Sequence, residues 1–277
     1  MNAKDVSAMA MPLNLVLVRH GESWLNWVLW MLRHGRGHEI PAELVGTPGW
    51  QVRLTDQGRE QARSVRTVLD QTGINFGAGY CSPFIRTIET ASLMIPNAPI
   101  GFWRIFAQIR ERDWGDWECV PSVAQFDQRR EHLDQAKSGL RMFWSPPGGE
   151  SGNDAILRAR DMIGTIVRSS ADNVILSCHG ELIEFTLRMF NDWGTLHDWQ
   201  ENEERWGYLL SPVNCQVIHL TRVDPESGSV FDYLRWAHSY VPWDPMHTNN
   251  RDWEMMERKR YSGADLSRIV SAYPASY

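Results

Sequence analysis

At 277 residues, 43% hydrophobic and 22% charged, the chain has the balance of an ordinary globular protein and enough length to bury a sizeable core. Its formal net charge of −6 excludes bulk attraction to nucleic acid, so any cationic site must be local. Cys81, Cys119, Cys178 and Cys215 are scattered without a Cys-x-x-Cys pair, and no apolar run approaches membrane-spanning length. Buried thiols of a reducing compartment and a cytoplasmic location are therefore expected, with neither nucleic acid nor membrane as partner.

The first element is an apolar run from Leu13 that ends abruptly in Arg19-His20-Gly21, the pattern of a buried strand with charged chemistry at its carboxyl end. Gly21 is read as the residue that turns the chain and brings backbone close to a ligand. Trp24 to Leu32 has helical character, and Trp24, Trp27 and Trp30 recur at a spacing that predicts one packed face. His34-Gly35-Arg36-Gly37-His38 breaks that helix. Its two histidines have metal-ligand spacing, but two intervening glycines and no third ligand favour a polar loop, continued by Pro41 to Gly49.

Thr55 is a plausible N-cap for a helix whose apolar face runs through Ala62, Val65 and Leu69 to Gly73. Gly79 to Ser82 reads as a strand tail. Ser82-Pro83 then predicts a helix start, with serine capping and proline at the first position, so that Arg86 falls in the first turn. A third strand is expected between Ile100 and Phe106. Arg110 to Glu118, dense in charge and tryptophan around Gly115, reads as an irregular functional loop. A helix is expected from Val123 to Gly139, and another opening at Glu150-Ser151-Gly152.

Asn173 to Cys178 is a second apolar strand with a charged tip, His179-Gly180-Glu181, and a helix follows it. Asn214 to Arg222 and Ser229 to Trp236 are expected to pair as a late edge hairpin through Asp224-Pro225-Glu226-Ser227-Gly228. The tail from Pro242 is polar and partly helical. The alternation predicts an α/β fold, a three-layer α/β/α sandwich on a mostly parallel central sheet. Residues 1–277 are expected to form a single domain, with cap insertions at about 27–52 and 104–148 and a C-terminal extension at about 240–277.

Two strands thus end alike: apolar run, histidine, glycine. A doubly wound sheet can set both tips side by side, and ligands bind at that edge. Arg19, Arg86, His20 and His179 converging there would suit a dianionic phosphate, because guanidinium forks pair with its oxygens and an imidazole can donate or attack. The N–H of Gly180, at a helix start, would add a donor. Ser23 and Asn26 are either further phosphate donors or helix caps; donation is the favoured reading.

On these residues the chain resembles the histidine phosphatase superfamily, the phosphoglycerate mutase-like group. The family's Arg-His-Gly-Glu-Ser with a following Asn is matched by Arg19 to Ser23 and Asn26. Its Ser-x-x-x-Arg-x-x-x-Thr is matched by Ser82, Arg86 and Thr90, its Glu-Arg-x-x-Gly loop by Glu111, Arg112 and Gly115, and its Pro-x-Gly-Glu-Ser by Pro147 to Ser151. His179-Gly180 and Asn214-Cys215 complete the order. The resemblance implies that His20 is the nucleophile, that Arg19, Arg86 and His179 bear the phosphoryl charge, and that Glu111 is the acid. Glu118, Asp113 and Asp116 lie close by as rivals for the last role. Gly180 stands where some members carry an Asp, which indicates the branch with its acid in the middle loop. Neither a metal nor a cofactor is implied.

The implied activity is hydrolysis of a phosphomonoester, a small phosphorylated metabolite or nucleotide, through a phosphohistidine. The alternatives are a cofactor-dependent phosphoglycerate mutase and a non-catalytic phospho-ligand binder. Against the mutase, Asp113 and Trp114 replace the expected His and Tyr, and Arg129-Arg130 lies closer to Glu111 than the mutases' carboxylate-gripping pair. Asp113, Asp116 and Trp114 are expected to crowd Glu111 and raise its pKa. The oligomeric state is not legible.

Overall fold

The computed structural model describes residues 10–95, 103–136, 142–191, 199–258 and 260–273. Seven strands form one sheet in the order β3-β2-β4-β1-β5-β6-β7. They are β1 (Asn14–Arg19), β2 (Ala78–Cys81), β3 (Trp103–Ile105), β4 (Asn173–Cys178), β5 (Val217–Thr221), β6 (Trp236–Tyr240) and β7 (Arg251–Met255). β3, β2, β4 and β1 run parallel, whereas β5, β6 and β7 extend the sheet antiparallel from β1.

The apolar runs of β1 and β4 are continuous because helices cover both faces. On one face Leu15, Leu17, Val174, Leu176 and Ile218 pack against α5 (Gly152–Arg168), α6 (Gly180–Phe190) and α7 (Trp199–Leu210). On the other, Val16, Val18, Ile175 and Val217 meet α2 (Asp56–Thr72) and α3 (Ile85–Met94). The result is the three-layer α/β/α sandwich. A smaller cluster of Val28, Leu32, Val52, Val120 and Phe126 joins α1 (Trp24–Arg33) to the start of α4 (Val123–Ala136), beside the strand tips.

Several elements depart from the sequence reading. The turn through Asp224 to Gly228 exists, with the Asp224 N–H donating to the Ser229 carbonyl. Beyond one isolated bridge, Val223 to Val230, the partner of β5 is nevertheless β6, later than the expected Ser229–Trp236 strand. The polar tail then contributes β7 at the sheet edge and the exposed helix α8 (Gly263–Ser271). The antiparallel part is therefore three strands rather than a hairpin. The tryptophans of α1 are not one packed face: the helix buries Val28, Met31 and Leu32 and leaves Trp24 and Trp30 exposed. Residues 100–102 of the expected third strand and 137–139 of the expected α4 lie outside the described residues.

Candidate active site

Strand register brings the two histidines together. Arg19 lies opposite Cys178 in the parallel β1–β4 ladder, and the His20 N–H donates to the Cys178 carbonyl, so both chains leave the sheet at one edge. The two imidazole rings sit with centroids 5.3 Å apart, edge to face, and both are buried. β2 ends beside β4, where the Ser82 N–H donates to the Ser177 carbonyl, and this delivers α3 to the same edge. Ser82 does not cap α3 as expected. The cap position belongs to Phe84, and the Ser82 hydroxyl lies 2.8 Å from His179 Nε2.

Arg86 ties the group together. Its Nε donates to His20 Nε2 at 3.0 Å, one Nη to the Gly49 carbonyl at 2.6 Å, and the other to His179 Nδ1 at 3.2 Å. Because a guanidinium only donates, these contacts assign the tautomers. His20 carries its proton on Nδ1, which donates to the Gly21 carbonyl at 2.7 Å, and its Nε2 presents a lone pair. His179 accepts through Nδ1 and donates through Nε2 to Ser82. Burial, reinforced by the Arg86 and Arg19 charges, pulls both histidines well below the ordinary imidazole pKa. Both are therefore neutral at neutral pH. Burial also lowers Arg86, to about 10.

Arg19 is half-buried beside His20. One Nη donates to the Pro212 carbonyl at 2.6 Å, while its Nε has no hydrogen-bond partner among the described residues. The guanidinium lies against the start of α6, where a Cβ on Gly180 would stand 3.4 Å from that Nε, in ordinary contact. Asn214 donates to the His20 carbonyl, and the Cys215 N–H donates to the Arg19 carbonyl. Gly21 is required by a close approach, but to protein rather than ligand: a Cβ there would meet the Gly58 carbonyl oxygen at 2.3 Å.

Ser23 and Asn26 form a capping box at the start of α1. The Ser23 hydroxyl donates to Asn26 Oδ1 and accepts from the Asn26 N–H, so it caps the helix, and Ser23 also lines the cavity described below. Asn26 Oδ1 accepts from the Ser23 N–H, the Ser23 hydroxyl and Asn214 Nδ2. With its oxygen so engaged, the amide end of Asn26 that remains for a ligand in the cavity is its NH2.

Glu111 approaches from the loop between β3 and α4, with Oε2 at 4.0 Å from His179 Nδ1. That loop is fastened to the start of α5. Arg158 donates to the carbonyls of Gln108, Arg110 and Glu111 and pairs with Glu150, which also binds Arg110 and the Asp113 N–H. Gly115, at φ +54°, sits where a Cβ would be 2.2 Å from the Pro147 carbonyl oxygen, so the two loops interlock only through glycine. The chemistry of Glu111 is set by burial, which pushes its carboxyl up to about 7, with Glu181 the next cause. Asp113 and Asp116 are not the crowding acids that the sequence reading expected. The Asp113 carboxylate instead accepts from the Gly115 N–H. Glu181 and Arg158 were missed by that reading, and the one available signal for Glu181 was its place directly after His179-Gly180.

Arg19, His20, Asn26, Arg86, Glu111 and Glu181 line a cavity of about 920 Å³. Trp27, Trp30, Trp114 and Trp117 form its apolar walls, with Arg33, Arg129 and Arg130 as additional cations. A volume of that order accepts a whole metabolite rather than a phosphate alone.

The chain belongs to the histidine phosphatase superfamily (branch 1), whose family model matches residues 29–203. The match begins downstream of Arg19-His20-Gly21, so the part this tripeptide plays rests on the geometry above. Among its relatives, the 2,3-bisphosphoglycerate-dependent phosphoglycerate mutase of Azorhizobium caulinodans is 28% identical over 177 residues, which are 60% of this chain and 75% of that protein. The human 6-phosphofructo-2-kinase/fructose-2,6-bisphosphatase 4 is 26% identical over 212 residues, 76% of this chain but only 38% of that longer protein. Among solved structures, a mycobacterial glucosyl-3-phosphoglycerate phosphatase superposes with a TM-score of 0.56 at 23% identity, covering 75% of this chain and 92% of that one. This likeness concerns the fold.

Proposed function

We propose that residues 1–277 act as one phosphomonoester hydrolase that works through a phosphohistidine on His20, on a small phosphorylated metabolite or a nucleotide. The observation that carries the reading is the lone pair of His20 Nε2, on an imidazole held neutral by burial and facing Arg86, with His179 and the Glu111 carboxyl, raised by burial to about 7, beside it. A neutral imidazole is a competent nucleophile at pH 7.

In the first step Nε2 attacks phosphorus, the ester P–O bond breaks, and Glu111 gives its proton to the departing oxygen. In the second, water attacks the phosphohistidine, Glu111 as carboxylate takes the water's proton, and the P–N bond breaks with its electron pair returning to Nε2. Arg86 and Arg19 donate to the equatorial oxygens, where preorganised donors contribute most, and His179, whose one N–H goes to Ser82, holds Arg86 in place through Nδ1. The Asn26 NH2 and the Gly180 N–H add neutral donors.

Turnover of p-nitrophenyl phosphate, with and without EDTA, tests the reading. Turnover that survives EDTA supports it, and silence from folded protein favours a phospho-ligand binder. The mutase alternative is kept by one observation, that Arg129 and Arg130 line the cavity. Interconversion of 2- and 3-phosphoglycerate dependent on 2,3-bisphosphoglycerate would establish it.

A further inference from the structure

Glu181, in the first turn of α6, lines the same cavity as Glu111, and its Oε2 lies 3.2 Å from Nε of Arg112. The Arg112 side chain is 1% exposed, with its guanidinium 4.4 Å from the Trp114 ring centre and 5.8 Å from that of Trp144. Trp114, Trp117 and Trp144 cluster with ring centres 6.0–6.5 Å apart. Arg112 follows Glu111 directly, and its own N–H donates to Glu111 Oε1 at 3.1 Å. One residue thus binds Glu111 through its backbone and Glu181 through its side chain, which fixes the two carboxyl groups relative to each other.

We propose that Glu181, clamped by the tryptophan-held Arg112, is a positioning residue that keeps the dissociable proton of the carboxyl pair on Glu111 and so sets the alkaline limit of the reaction. The inference rests on the reading of Glu111 as general acid and deepens it. Two carboxyl groups lining one pocket cannot both ionise as cheaply as either alone, so a cationic partner on one favours the proton on the other. Arg112 gives Glu181 a cationic partner at 3.2 Å.

The other groups around Glu111 do not supply this bias. Arg19 from β1 and Arg86 from α3 both pull it down, as does the Arg112 N–H. His179, at the start of α6, is neutral, and Arg158 from α5 reaches only the Glu111 carbonyl. Cys178, at the end of β4, is an un-ionised thiol whose pKa burial pushes up.

The test is the pH profile of kcat/KM for an alkyl phosphate, whose poor leaving group needs the acid, in E181Q and in R112M/E181Q. The double variant leaves no lone buried guanidinium and so guards against misfolding. In both, the alkaline limb moves to lower pH, and the ratio of turnover at pH 8 to that at pH 5 falls about tenfold for each unit of movement. A merely structural Glu181 would lower the rate at all pH values and leave that ratio unchanged, which overturns the proposal. Carbon-13 carboxyl titration of the native protein reads the same coupling without a variant. A Glu111 curve with a second inflection supports the proposal, and a single-step curve overturns it. Because this readout needs no turnover, an absence of phosphatase activity would be recognised separately, as failure of the acid–nucleophile reading itself.

Discussion

Replacing Arg86 with lysine keeps a positive charge at the site but removes the fork. In the native protein three N–H groups of this one side chain reach His20 Nε2, the Gly49 carbonyl and His179 Nδ1, over 2.6–3.2 Å. A single ammonium on a flexible stem cannot serve all three directions. R86K retains one of these three contacts and loses two. At about 1.5–2 kcal/mol for each charge-assisted bond, the loss is roughly 3–4 kcal/mol, or about 10²–10³ in kcat/KM. Steady-state kinetics on p-nitrophenyl phosphate at pH 6 measures it, and near-native circular dichroism checks the fold. A loss below about fivefold in folded R86K would refute the reasoning, because it would mean that Arg86 acts as a point charge and not as a fork.

Four further outcomes are expected. Glu111 is the acid only while protonated, so kcat/KM for alkyl phosphates falls as pH rises through about 7. The fall is about tenfold per unit above that value, and a rate flat to pH 9 would contradict the assignment. The same raised pKa favours proton binding by the folded state, so its contribution to stability is present below the ordinary carboxylate range and lost as pH rises through about 7. E111Q therefore flattens the pH dependence of the urea midpoint between pH 5 and 8. S82A removes the acceptor of His179 Nε2–H and lowers kcat about tenfold with little change in KM; a changed KM with native kcat would assign Ser82 elsewhere. G58A sets a Cβ 2.0 Å from the Glu22 carbonyl oxygen and costs at least about 2 kcal/mol in thermal or urea unfolding. A native midpoint would show that this backbone approach is soft.

The parts of the fold legible in the sequence are those written in local chemistry. Two Val- and Leu-rich runs ending in His-Gly identify β1 and β4, since a strand buried on both faces must be continuously apolar. Ser151 and Thr55 mark helix starts because their hydroxyls accept from orphan N–H groups. The misplaced β6 has a physical cause: Trp236-Ala237-His238-Ser239-Tyr240 alternates burial, but histidine and serine disguise the alternation as polar chain. β7 carries Arg251, Asp252 and Glu254, as an edge strand tolerates, and so reads as tail.

At the site, Arg19, His20, Arg86, Glu111 and His179 could be proposed because each sits in a motif. Their partners could not. Ser82 under His179, Arg158 behind Glu111 and Glu181 against Arg112 are contacts between distant segments, and only the packing of α3, α5 and α6 at one sheet edge creates them. Ser23 is the converse case, a residue in the motif whose hydroxyl is spent on α1.

The central claim is that His20 Nε2 is the nucleophile. Rapid mixing with a phosphorus-labelled phosphomonoester, an alkaline quench that preserves the acid-labile P–N bond, and peptide mapping test it directly. The account predicts transient label on His20, absent from H20A. Label on another residue, or undiminished turnover by H20A, would contradict it.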